Sequence, residues 1–164
     1  MNLANILSQL GVSMQLTQDV SLIIFLALAS FIFGMLLGRR RIMSVLVSIY
    51  IAYAIITVVP DKMLGDYFSE IIVFLILIVF LTLLNQRFFG VSFYGSSHLW
   101  RIFSLSFLQI VLVLSIIFSI MPKSAALGYV SGNTYQYLVS SWAPLIWMLA
   151  PLIFMFLIYR KGNR

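Results

Sequence analysis

Three consecutive stretches decide the fold of this chain: VSLIIFLALASFIFGMLLG (20–38), RRR (39–41) and IMSVLVSIYIAYAIITVV (42–59). The first and third stretches are each long and apolar enough to cross the hydrocarbon core of a bilayer, which takes about 20 helical residues. The three arginines between them leave a connection so short that the two helices must form an antiparallel hairpin. The sequence therefore predicts two transmembrane helices joined by a tight turn at one membrane surface.

The composition of the whole chain agrees with a membrane protein. Of its 164 residues, 63% are hydrophobic and 9% are charged, whereas a soluble domain carries about 25% charged residues. The lipid bilayer is therefore the expected partner, and the net charge of +6 is attributed to basic cytoplasmic loops rather than to nucleic-acid binding. The lack of cysteine excludes disulfides, zinc–thiolate sites and thiol nucleophiles.

Three further apolar segments, 68–87, 102–121 and 142–159, bring the prediction to an all-α, polytopic protein with five transmembrane helices. The third span has an apolar core, Ile71 to Leu84, of only about 21 Å. In the fifth span, Pro151 predicts a helix kink. The alternative is four spans, with the last segment re-entrant and broken at Pro151, or lying in the interface.

The segment 1–18 precedes the predicted transmembrane domain, which covers 19–164. It contains no Lys or Arg, so it does not have the basic start of a signal peptide. Apolar residues recur in it at helical spacing, which predicts a short amphipathic helix in the outer interface. A frayed tail is the alternative interpretation.

Basic residues are distributed unequally between the predicted loops, which sets the orientation. One side holds eight of them, Arg39, Arg40, Arg41, Arg87, Arg101, Arg160, Lys161 and Arg164, and the other side holds Lys62 and Lys123. All four acidic residues, Asp19, Asp61, Asp66 and Glu70, lie on that second side. This predicts an N-terminus outside and a C-terminus in the cytoplasm.

Small residues occur at every fourth position of both helices of the hairpin. Such stripes let helix backbones approach closely in lipid, so we expect them to pack against each other or against a second subunit, giving a possible homo-oligomer. The positions are Ser30, Gly34, Gly38, Ser44, Ser48 and Ala52.

The arginine triplet Arg39, Arg40 and Arg41 has two compatible interpretations. In the first, it anchors the hairpin on the cytoplasmic side. In the second, it binds anionic lipid head groups, which basic clusters at a membrane edge attract.

The predicted span interiors contain no Asp, Glu, Lys, Arg or His. This disfavours a proton relay, a pump or an intramembrane metalloprotease, and we expect no catalytic residue, cofactor or metal. The strongest polar side chains in the spans are Gln109 and Asn85, for which we predict hydrogen bonds across helices. Ser96, Ser97 and His98 stand together in a loop, where we expect a solvated histidine rather than a catalytic pair.

The order of these features resembles the colicin V production protein family of small bacterial inner-membrane proteins. The resemblance rests on Asp19 directly before span one, the Gly-xxx-Gly-Arg-Arg-Arg run from Gly34 to Arg41, and a loop with Gly90, Gly95 and Arg101 before span four. It covers about 19–121. Unlike the family pattern, span four here lacks glycine, and the chain ends in an apolar segment.

This resemblance implies a role in toxin production or secretion, or in envelope homeostasis, and it carries no chemistry with it. The leading hypothesis is therefore a non-enzymatic protein of the bacterial inner membrane that assembles through small-residue helix faces. The alternative is a small transporter, channel or substrate-binding membrane component, in which Gln109 would line a polar cavity.

Overall fold

The computed structural model describes residues 14–60, 64–88 and 99–162, with no side-chain placement for 14–18, 36–40, 86–88, 99, 158–159 and 161–162. Its elements are α1 (Met14–Val58), α2 (Tyr67–Phe88), α3 (Leu99–Ile120), α4 (Lys123–Ala126), α5 (Gly132–Val139) and α6 (Ala143–Gly162). The predicted all-α class is confirmed. Outside the described residues lie most of segment 1–18 and also Asp61, Lys62, Gly90, Gly95, Ser96, Ser97, His98 and Arg164; the side chains of Arg39, Arg40, Arg87 and Lys161 are likewise not described.

Helical residues follow one another without a gap through α1, and the arginine triplet is part of this run. The contacts of the first half of α1 give its direction. Asp19 bonds to Ser131, beyond the end of α3, whereas Gly34 lies against Ser106 near the start of α3. The first half of α1 therefore runs antiparallel to α3.

The second half of α1 runs the other way. The Ile42 carbonyl accepts a hydrogen bond from Gln109, and later residues of α1, up to Ile56, share a buried cluster with Leu112 and Ile116 of α3. A straight helix of 45 residues would be about 68 Å long and could not pass α3 twice. The chain therefore reverses direction between Gly34 and Ile42, in agreement with the predicted hairpin.

Three helices are long and apolar enough to cross a membrane: Arg41–Val58, Tyr67–Asn85 and Trp100–Ile120. A fourth candidate is the pair Gly132–Val139 and Ala143–Leu157, which is bent by 63°. The segment Asp19–Met35 is apolar but shorter, at 17 residues. The described residues thus contain three helices that could span a membrane, or four if the bent pair forms one span.

Two segments differ in detail from the sequence prediction. The third predicted span, expected to be short, is a helix of 22 residues, about 33 Å long, because the helix extends beyond its apolar core at both ends. The segment from Pro122 to Ser141, expected to be a loop, contains α4 and α5. Helix α5 is held in place by contacts to other helices, described below.

Helix α3 occupies the middle of the bundle. It packs against both halves of α1 and against α5 and α6, whereas α2 packs chiefly against α1. Away from the reversal of α1, an apolar cluster fills the space between the second half of α1, α2 and α3, in which Ala52, Phe74 and Leu112 are fully buried. The polar side chains are concentrated elsewhere.

Candidate functional site

Buried polar side chains collect near the reversal of α1, where it meets α2 and α3. We call this group the inner polar cluster and define it as Gly34, Ser48, Asn85, Ser106 and Gln109. The members come from both halves of α1, from α2 and from α3. Asn85 contacts Ser48, Gly34 contacts Ser106, and Gln109 bonds to the backbone of Ile42. The sequence placed these residues on separate spans, and the fold brings them to one end of the bundle.

Gln109 is the largest polar side chain in the cluster, and it is fully buried. Its Nε2 donates a hydrogen bond of 2.8 Å to the carbonyl oxygen of Ile42, which ties α3 to the second half of α1 just after the arginine triplet. Its Oε1 is buried without a hydrogen-bond partner. Since a buried carbonyl oxygen without a partner costs about 1–3 kcal/mol, this atom is a candidate ligand-binding group.

Ser106 lies one turn before Gln109 on α3, and its hydroxyl is also buried without a hydrogen-bond partner. It lies directly against Gly34: a Cβ built on that glycine would be 3.0 Å from the Ser106 Oγ and 3.6 Å from the Cγ2 of Ile102. The close approach of α1 and α3 therefore favours glycine at this position.

Asn85 supplies the link from α2. Its Nδ2 donates a hydrogen bond of 3.2 Å to the hydroxyl of Ser48, which itself donates to the Ser44 carbonyl at 2.7 Å. One turn before Asn85, Thr82 places another hydroxyl oxygen in the interior without a partner. Gln109 of α3 and Asn85 of α2 thus each make the predicted hydrogen bond across helices, in both cases to α1.

The small-residue stripes are buried within this chain. Ser30, Gly34, Ser44, Ser48 and Ala52 all have buried positions. Ser30 satisfies its hydroxyl by donating to the Leu26 carbonyl at 2.6 Å. Gly38 lies in the helix at the reversal. Among the described positions, these stripes are covered by other helices of the same chain.

A second polar group forms at the opposite end of the bundle and was not predicted. Oδ1 of Asp19 accepts hydrogen bonds from the hydroxyls of Ser131, at 2.5 Å, and Thr134, at 2.6 Å. Ser131 is also the N-cap of α5, since its Oγ accepts the backbone N–H of Thr134 at 3.2 Å. The Ser-x-x-Thr spacing before a helix was the available sequence signal for this cap.

The other end of α5 is held by two more helices. Ser115 of α3 donates its hydroxyl to the Leu138 carbonyl at 2.6 Å, and Trp147 of α6 donates Nε1 to the Tyr137 carbonyl at 3.0 Å. These bonds satisfy carbonyls at the C-terminal end of the helix, which lack partners within it. Helix α5 is therefore fixed at both ends by side chains from α1, α3 and α6.

Pro151 lies inside α6, which continues through it, and a separate bend of 63° lies between α5 and α6. Proline removes an N–H donor and crowds the preceding turn. In that turn, the carbonyl of Met148 accepts a hydrogen bond from the hydroxyl of Tyr50. A neighbouring helix thereby supplies a donor beside the proline, as in other membrane helices that contain proline.

The arrangement offers neutral oxygens and amides rather than charged groups. Within the described part of the chain, no three His, Cys, Asp or Glu side chains come together as metal ligands would. Arg41, next to Ile42, is exposed. The inner polar cluster is thus a buried, uncharged site close to a basic end of the bundle.

Comparison with models of protein families, with curated proteins and with solved structures finds no match to this chain.

Proposed function

We propose that this chain is a multi-pass protein of the bacterial inner membrane that acts through assembly rather than catalysis, in the manner implied by its resemblance to the colicin V production family. In this proposal, five segments cross the bilayer: Asp19–Met35, Arg41–Val58, α2, α3 and α6. Their apolar character supports the assignment. The resemblance favours a role in toxin production or secretion, or in envelope homeostasis.

The distribution of charge over the bundle supports an external N-terminus and a cytoplasmic C-terminus. Because Gly34 contacts the start of α3, Arg41 and Arg101 lie at the same end of the bundle. Asp19 lies at the other end, beside Ser131. Loops rich in Lys and Arg stay in the cytoplasm, so the basic end faces inward.

The lack of native cysteine permits a direct test of this topology. Single cysteines at Ser124 and Asn133, which are exposed, should react with a membrane-impermeant maleimide in intact cells. A cysteine at Asn163 should react only after permeabilisation. The opposite labelling pattern would refute the orientation, and a cysteine at Ser13 that labels together with Asn163 would reduce the number of spans to four.

The proposal of assembly is supported by the uneven burial of the proposed transmembrane helices. Only 11% of the span Tyr67–Asn85 is buried inside the chain, against 44% of Arg41–Val58 and of Trp100–Ile120. Its mean hydropathy of 2.6 is nevertheless the highest of the three. The small-residue faces are already used inside the chain. The exposed face of α2 is therefore the proposed contact with a second copy or a membrane partner.

Cysteine crosslinking in native membranes tests this contact. Ile76→Cys and Val79→Cys, on the exposed face of α2, should give disulfide-linked species after mild oxidation. Phe74→Cys is the matched control, because Phe74 is fully buried on the same helix. Crosslinking that is absent at all three positions, together with a monomeric mass in mild detergent, would contradict the proposal.

A second candidate function is the binding or passage of a small polar solute. It is favoured by the buried oxygens of Gln109 and Ser106, which have no hydrogen-bond partner. Under this proposal, Gln109→Leu abolishes solute uptake or ion conductance by the chain in proteoliposomes. Flux that survives this substitution would rule out a pathway through the inner polar cluster.

A further inference from the structure

The inner polar cluster contains two oxygens that the protein itself leaves without a hydrogen bond. Oε1 of Gln109 and Oγ of Ser106 are both buried, and both residues have 0% exposure. Leaving either atom without a partner costs about 1–3 kcal/mol. Two such atoms on adjacent turns of one helix indicate a group that both can bind.

The amide of Gln109 determines which kind of partner fits. Because Nε2 is committed to the Ile42 carbonyl, only the acceptor oxygen of Gln109 is free, so the partner must donate a hydrogen bond. The Ser106 hydroxyl can donate or accept. A small molecule that both donates and accepts hydrogen bonds therefore satisfies the two atoms together.

The spacing of the two residues suits a partner as small as water. Side chains at positions i and i+3 of a helix are neighbours on one face. One water molecule can make a hydrogen bond of about 2.8 Å to each of two neighbouring side-chain oxygens. Gly34 limits the space on the other side, since its Cα approaches the Ser106 Oγ closely enough that a Cβ would lie 3.0 Å away.

The partner is also uncharged. The described carboxylates Asp19, Asp66 and Glu70 belong to the start of the first apolar segment or to the start of α2, and none of the residues that form the cluster is ionisable. A cation buried here would have no counter-charge, which is costly inside a membrane. Polar interior sites of this kind hold ordered water in globular proteins.

We propose that Gln109 Oε1 and Ser106 Oγ bind a buried water molecule that links α3 to the hairpin of α1 at the basic end of the bundle. This inference concerns hydration of the interior and does not depend on whether the chain assembles through α2. The water site also bears on the second candidate function. A hydrated site here would be the first polar site that a solute meets on entering the bundle from the cytoplasm.

Radiolytic hydroxyl footprinting of the full chain in detergent, with water as the probe, tests the site. Bound water produces hydroxyl radicals in place, so the buried neighbours Ile42 and Leu105 should be oxidised. Leu112 and Ile116, which are also buried but lie farther along α3 from the inner polar cluster, should not. Oxidation of Ile42 and Leu105 no greater than that of Ile116 would overturn the proposal.

A matched pair of serines gives an independent measurement. Ser106 and Ser115 are both fully buried on α3, but only the Ser115 hydroxyl has a protein partner. If Ser106 binds water, then Ser106→Ala lowers the melting midpoint, as Ser115→Ala does. If Ser106 is dry, removing an unsatisfied hydroxyl raises the midpoint, and that result would refute the water site.

Discussion

The hydroxyl of Ser131 donates a hydrogen bond of 2.5 Å to the carboxylate of Asp19, which lies 112 positions earlier in the chain. Thr134 donates a second one to the same oxygen. The carboxylate therefore lies at the N-terminus of α5, where a negative charge interacts favourably with the helix dipole. Through this contact, the beginning of the hairpin is tied to the segment that follows α3.

Asp19→Asn should destabilise the bundle, because it removes the charge from two hydrogen bonds. We expect the free energy of unfolding to fall by about 1–2 kcal/mol. This is less than for a fully buried charged group, since Asp19 is partly exposed. The melting midpoint in detergent checks this. Asp66→Asn is the control, because Asp66 is an exposed carboxylate at the start of α2, and an equal effect of both changes would contradict a specific role of Asp19.

The spanning helices Arg41–Val58, Tyr67–Asn85 and Trp100–Ile120 were predictable because hydropathy is a property of a continuous segment. The segments α4 and α5 were not. Helix α5 is short and is held by Ser115 and Trp147, which come from other parts of the chain. A helix of eight residues depends on such tertiary contacts, and they leave no periodic pattern.

The residues of the inner polar cluster were partly recognisable from sequence for a similar reason. Gln109 and Asn85 stand out because each is a polar amide in an apolar run. Their partners do not stand out. The Ile42 carbonyl that binds Gln109 is a backbone group that every residue has, so only the fold selects it. Ser106 is one of several serines in the spans, and its contact with Gly34 depends on the packing of two helices.

Gly34→Ala should force α1 and α3 apart, since its Cβ would lie 3.0 Å from the Ser106 Oγ. Overpacking of this kind costs about 1–3 kcal/mol, which would appear as a lower melting midpoint. Gly132→Ala is the control, because a Cβ there would meet nothing within 4 Å.

Ser106→Ala should relieve the clash caused by Gly34→Ala, because it removes the oxygen that the new methyl group would meet. A double-mutant cycle measures this relief as a coupling between the two sites. The double variant should therefore be more stable than the sum of the single effects predicts. Strict additivity would show that the two residues are not in contact.

Asn85→Leu should weaken the contact of α2 with the second half of α1, because it removes the hydrogen bond to Ser48. Interhelical bonds of this type contribute about 0.6 kcal/mol on average in membrane proteins, so we expect a small decrease in the melting midpoint. The effect should be smaller in a Ser48→Ala background. An unchanged effect in that background would indicate that Asn85 acts through another contact.

Tyr50→Phe should destabilise α6 next to Pro151, because it removes the hydroxyl that donates to the Met148 carbonyl. A hydrogen bond of this kind contributes about 1 kcal/mol, to be measured as a lower melting midpoint. Tyr53→Phe is the control on the same helix, since the Tyr53 hydroxyl makes no hydrogen bond to any residue that the structure describes.

Pro151→Ala should reduce the effect of Tyr50→Phe. Alanine restores the N–H that bonds the Trp147 carbonyl and removes the ring that crowds the preceding turn. The Met148 carbonyl can then bond more fully to the Leu152 N–H and depends less on a donor from α1. The double-mutant cycle should therefore give a positive coupling between the two positions. A Tyr50→Phe effect of the same size in both backgrounds would show that the hydroxyl does not compensate for the proline.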